Sequence, residues 1–203
     1  PDAFEPVINR VLKVDQQSQQ FVFTGVIEKP VPSLLRSFSA PVRLNFDYSR
    51  EELFFLMVHD SDGFNCWNAA QLLAIDVIHE LQQCRLDGQQ GEVPQILIDA
   101  YTWILDSVLA PNKLDKAMIA HLLVLPTEGS LIELAELADV DAIHRVREAI
   151  ANTLALRLVD KFTEVYETNC SDGSYQADAA SIAQRALKNL ALAYLVRTGR
   201  DEW

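Results

Sequence analysis

The segment His79-Glu80-Leu-Gln-Gln83 comes nearest to catalytic chemistry in this 203-residue chain. A metal-binding helix of the H-E-x-x-H type carries two imidazoles one turn apart on one face, with a glutamate beside the first as general base. Here Gln83 stands where the second imidazole is needed, and a neutral amide is a poor zinc ligand, so the match fails at the residue the metal requires. His59, His121 and His144 lack a second ligand at helical spacing and read as helix surface or core edge. Cys66, beside Trp67 at the start of an apolar helical face, reads as a packing residue and not a nucleophile. The glycines are dispersed at single turn positions such as Gly63, Gly88 and Gly129, so no phosphate cradle forms. The carboxylate pairs Glu51-Glu52, Glu133/Glu136 and Asp139/Asp141 fall at caps and surfaces. Trp67, Tyr101 and Trp103 could line a peptide groove, but they sit on apolar stripes and read as core. Arg145 and Arg147, with Glu148, read as a solvated helix face. No catalytic, cofactor-binding or metal-ligating residue is expected in this chain.

The elements that would position such residues change character near residue 48. Up to that point the apolar period is near two: Val7, Val11, Leu12 and Val14, then Phe21-Val-Phe23, then Val42, Leu44 and Phe46 around Arg43 and Asn45. These read as short strands, with Asp15-Gln-Gln-Ser18 as a hairpin turn and Pro30, Pro32 and Pro41 restricting their strands to edges. Under fifty residues of sheet cannot close a two-layer sandwich, which predicts partner strands elsewhere or burial against another domain.

Ser49-Arg-Glu-Glu52 has the spacing of a capping box and opens a helix. Asp62 precedes a long helix from Phe64 to Leu86, ended by Asp87-Gly88; Pro94 starts another that stops before Pro111. Shorter helices follow at 115–125 and 130–138. Asp141 caps a long helix to about Tyr166, and after Asp172-Gly173 a final one runs from about Ala179 to Val196. Seven helices on short loops predict antiparallel neighbours stacked in sequence order, as an irregular array without a fixed repeat. Leu190, Leu192, Tyr194, Leu195 and Val196 put apolar residues on several faces of the last helix, so further helices should follow in a parent chain. The expected fold is mainly α: a partial β-sandwich over 1–47, then a superhelical domain over 48–203.

Residues 1–47 carry five basic and five acidic groups; the remainder carries twelve against twenty-four, so the whole net charge of −12 belongs to the helical part. An acidic surface disfavours nucleic acid and anionic membranes. Three cysteines at wide spacing suggest no disulfide framework, and no apolar run is long enough to span a bilayer, so the expected location is cytoplasmic. Pro1 in place of an initiator methionine suggests a chain cut from something longer.

Several segments taken in order resemble the bacterial aminopeptidase N family: Asn9–Asp15, Gln20–Phe23, Pro30–Leu44, Leu56-Met-Val-His-Asp60, Phe64–Gln71 with Trp67-Asn-Ala-Ala-Gln71, Leu123-Val-Leu-Pro-Thr-Glu128, Asp141–Glu148 and Ile182–Asn189. The resemblance implies a zinc-dependent enzyme that removes N-terminal residues from peptides. In that family a β domain and a helical domain accompany a catalytic domain holding H-E-x-x-H and G-x-M-E-N, and neither motif occurs here. This chain would then be an inactive, non-catalytic segment that walls the active-site chamber, with the catalytic and upstream β domains of the parent and its peptide substrates as partners, and zinc bound only in the parent. The rival reading is a free-standing helical-repeat interaction module.

Overall fold

A computed structural model describes residues 9–42, 44–109, 115–171 and 173–203, the side chain of Leu109 excepted. The expectations at Val7, Arg43, Pro111 and Asp172 lie outside these residues. The chain divides into two compact units, Pro1–Pro32 and Ser33–Trp203.

In the first unit the expected turn is present as a bend over 16–18. It is closed by the Gln19 side chain, which accepts from the Asp15 amide at 3.1 Å and donates to the Lys13 carbonyl at 3.0 Å. No strand forms among the described residues of either unit, so the expected runs at 11–14, 21–23 and 44–46 are without a ladder. Period-two alternation makes a strand only when the backbone N–H and C=O groups find a neighbouring strand. Val11 and Ile27 are almost fully exposed, so the apolar face has no covering layer.

The second unit contains eight α-helices among the described residues: α1 (Arg50–His59), α2 (Gly63–Leu86), α3 (Gln95–Leu109), α4 (Lys116–Leu122), α5 (Glu128–Leu134), α6 (Val140–Arg157), α7 (Val159–Thr168) and α8 (Ala179–Val196). Their starts follow local chemistry. Ser49 and Glu52 form the expected capping box, and Asp62, Asp115, Thr127, Asp139 and Asp178 each accept the third following backbone N–H. Three expectations shift: Asp139 and not Asp141 caps α6, the helix expected over 115–125 ends at Leu122, and the next begins after Thr127 and ends at Leu134, short of Ala138.

The expected single helix from Asp141 to Tyr166 is two helices, because Leu158 leaves helical geometry at φ −119° and ψ 21°. Its amide still reaches the Leu154 carbonyl at 3.0 Å, and its carbonyl still accepts from Phe162 at 3.0 Å. The bend therefore changes direction without orphaning a buried peptide. It allows α6 to pack on α2 and α5, as well as on α3 and α8, while α7 packs chiefly on α8 and α3.

Helix α2 is about 36 Å long at 1.5 Å per residue and forms the spine of the unit. It buries Ala70, Leu73, Ala74, Val77, Ile78 and Leu81 and touches α1, α3, α4 and α6. Stacking is only partly in sequence order, since α8 returns to pack on α4 as well as α7. The fully buried Ile104, Leu123, Ile150, Leu154, Phe162, Leu187 and Leu195 complete one apolar core.

Candidate functional site

His79 and Glu80 lie exposed on α2, where Glu80 pairs with Arg50 of α1 and Gln83 donates to Asp87. No group of three His, Cys, Asp or Glu residues able to hold a metal occurs among the described residues. His59 packs beside Phe55, His121 is exposed, and His144 lies 2.8 Å from Glu128. Cys66 is buried, with its thiol 3.2 Å from the Asp60 carbonyl. Burial, then the carboxylates of Asp60 and Asp62, push its pKa up to about 11, which keeps it a thiol and chemically quiet. Tyr101 is buried, whereas Trp67 and Trp103 are partly exposed, and Trp67 packs beside Phe64. Glu51, Glu133, Glu136 and Asp141 are exposed, and Glu52 serves the capping box.

A cleft of about 360 Å³ lies between the end of α2, the 88–91 loop and α6, lined by Leu81, Arg85, Gln89, Gln90, Val146 and Ala149. Its lining offers no carboxylate, imidazole or thiol. A second cavity of about 20 Å³, room for one water, lies among Ser33, Leu34, Tyr48, Leu53 and Asn65.

The most highly constructed region is the connector from α4 to α5, Leu123-Val-Leu-Pro126. Its residues are buried except Val124, so its carbonyls need protein donors. The hydroxyls of Tyr101 on α3 and Tyr194 on α8 both donate to the Leu123 carbonyl, at 3.3 and 2.9 Å. Gln71 of α2 donates to Val124 at 2.9 Å, and Arg147 of α6 donates to Pro126 at 2.9 Å. Phe162 of α7 stacks on Tyr194 with ring centroids 4.4 Å apart. Desolvation raises the pKa of both phenols, to about 12 for Tyr194, so both remain donors at neutral pH. Arg197, the C-cap of α8, closes the neighbouring edge with two bonds to Glu148, at 2.6 and 3.0 Å, and thereby lowers that carboxyl's pKa. Arg147 and Glu148 are thus structural partners and not a solvated face.

A second network forms where residues 33–38 lie on the α1–α2 corner. The Asp60 carboxylate, with no exposed surface, is held by Ser33 and Arg36. Arg36 also reaches Ser61 at 2.7 Å, and the Asn65 amide donates to Ser33 at 2.8 Å and to the Leu34 carbonyl at 3.0 Å. The Ser37 amide donates at 2.8 Å to Asp62, the cap of α2. Sequence reasoning missed both networks, because their members are far apart in the chain, although most of those members fall in segments that carry the family resemblance.

What this arrangement can do is hold shape: four long helices are tied to one buried connector. A family model described as a domain of unknown function (DUF3458_C) with ARM repeats matches residues 50–203, and one described as a domain of unknown function (DUF3458) with an Ig-like fold matches residues 2–47. The chain belongs to this DUF3458_C ARM-repeat family, the class that its stacked helices define. Its similarity runs to bacterial aminopeptidases N: 38% identity to that of Escherichia coli over 93% of this chain and 21% of the relative, and 35% to that of Haemophilus influenzae over 95% and 22%. The crystal structure of Legionella pneumophila aminopeptidase A in complex with aspartic acid matches with a TM-score of 0.78 at 30% identity, over 92% of this chain and 22% of that one. The chain spans about a fifth of the length of the curated relatives it matches.

Proposed function

We propose that this chain is a non-catalytic scaffold segment of a cytoplasmic zinc aminopeptidase, that its residues 1–47 and 48–203 belong to a β domain and a helical domain of that enzyme, and that the helical part walls the chamber in which peptides are processed. The observation that carries this reading is the 38% identity spread over nearly the whole chain but only a fifth of an aminopeptidase N. The residues described here do not fit a zinc ion, so no step of peptide hydrolysis is assigned to them. Zinc, peptide substrates, the catalytic domain and the upstream β domain are requirements of the larger enzyme.

The outer surface of α8 supports a part over a free-standing repeat module. The long helices elsewhere turn charges outward: Asp76 and Glu80 on α2, Asp99 and Asp106 on α3, Asp141 and Arg145 on α6, and Asp160, Glu164 and Glu167 on α7. The exposed stripe of α8, Ile182, Ala186, Asn189, Ala193 and Val196, carries none. A self-sufficient array presents a polar face on its last helix.

The purified chain, assayed with alanyl p-nitroanilide at micromolar zinc, is expected to show no turnover and no stoichiometric zinc by metal analysis. Turnover that follows the chain through purification, or one tightly held zinc per chain, would overturn the proposal. A chimera of the E. coli relative with its matched stretch replaced by this chain is expected to keep alanyl peptidase activity within about tenfold; a folded, zinc-loaded but inert chimera would argue against the scaffold role.

A further inference from the structure

Residues 33–38 match the Ig-like family model by sequence, yet they belong in space to the unit that begins at Ser33 and holds the helices. Their backbone cannot be that of a strand. Leu35, Ser37 and Phe38 have φ of 53°, 54° and 52°, a left-handed conformation that non-glycine residues keep only when their surroundings over-determine it.

The surroundings here do so from both sides. Asp60 grips Ser33 and Arg36 from the end of α1, and the two residues that follow it, Ser61 and Asp62, take the rest of Arg36 and the Ser37 amide. Asn65, in the first turn of α2, holds Ser33 and Leu34. The Phe38 ring lies against Phe64, with centroids 3.8 Å apart. A buried carboxylate that loses its cation is left uncompensated, so the segment cannot peel away piecemeal.

We infer that Ser33–Phe38 is a clasp that locks the α1–α2 corner of the helical unit, and that the mechanical boundary between the two halves of the chain falls at Pro32–Ser33, not at the change of sequence pattern near residue 48. The clasp goes with the helices whenever the preceding residues open.

Limited trypsin digestion of the whole chain, followed by mass spectrometry, tests this, because proteolysis reports local opening. The Arg36–Ser37 bond lies inside the clasp, and Lys13, with a largely exposed side chain, precedes a reference bond in the first unit. Cleavage after Arg36 is expected to be at least tenfold slower than after Lys13. Phe38→Ala and Asp60→Asn are each expected to speed it at least tenfold while leaving cleavage after Lys13 unchanged, and Ser37→Gly, which suits a positive φ, is expected to keep the protection. Equal cleavage after Arg36 and Lys13 in the unaltered chain overturns the inference. So does an unchanged rate after Arg36 in Phe38→Ala, whose exposed ring makes loss of folding an unlikely confounder; that variant decides the matter if Asp60→Asn does not fold.

Discussion

Tyr101 and Tyr194 share one acceptor, the Leu123 carbonyl, so either can cover for the loss of the other. Tyr194→Phe is expected to cost about 1 kcal/mol, and Tyr101→Phe, with the longer bond, less. The double variant leaves a buried carbonyl bare and is expected to cost more than the sum, a coupling that urea unfolding of the double-mutant cycle will measure. The same pair sets an alkaline limit. Burial raises both folded pKa values above the ordinary 10.0, to about 12 for Tyr194, so the unfolded chain loses its protons first. Stability from these phenols is therefore complete below about pH 10 and falls between roughly pH 10 and 12. Thermal unfolding across that range should show the decline, and Tyr194→Phe should flatten it. Cys66 offers a second check at this scale: with its thiol buried and its pKa near 11, it should resist Ellman's reagent at pH 8 until the chain unfolds, while exposed Cys170 reacts within minutes.

At the scale of elements, caps decide where helices begin, and one cap separates sequence from structure. Asp139 accepts the Ala142 amide at 2.9 Å, whereas Asp141 is simply an acidic residue in the first turn of α6. Asp139→Ala is expected to cost about 1 kcal/mol and Asp141→Ala a few tenths, as read by chemical denaturation. A reversed order would restore the start that the sequence suggests. Most helices were legible because apolar spacing and capping residues are local. The bend at Leu158 was not: neither proline nor glycine marks it, and the buried positions Leu154, Leu158, Phe162 and Val165 keep one helical rhythm straight through. The partners differ in weight across it: α2 and α5 pack on α6, whereas α7 packs chiefly on α8 and α3. The strands, which the Ig-like family model over residues 2–47 also implies, do not form among the described residues for the opposite reason. Their pattern is plain in the sequence, but a ladder belongs to two segments and cannot be read from one.

Across the molecule, the departure from the H-E-x-x-H pattern was readable from Gln83 alone, whereas the two polar networks were not. Gln71, Arg147 and Tyr194 gather on one stretch of backbone from three helices, and no local pattern predicts such a meeting. Net charge is a property of this scale too. With −12 on the chain, mutual repulsion opposes compaction, so raising sodium chloride from 20 to 300 mM should raise the thermal midpoint. A falling midpoint in calorimetry would mean that the Arg50–Asp76, Lys161–Asp106 and Arg197–Glu148 pairs outweigh that repulsion.

The α4–α5 connector carries a consequence for natural variation. Most surface loops absorb insertions and deletions cheaply. Here, one added or missing residue between Leu123 and Pro126 would slide the Leu123, Val124 and Pro126 carbonyls out of register with the helices that serve them. Homologues should therefore differ in length around residues 87–93 and 170–178, and keep this four-residue bridge at constant size.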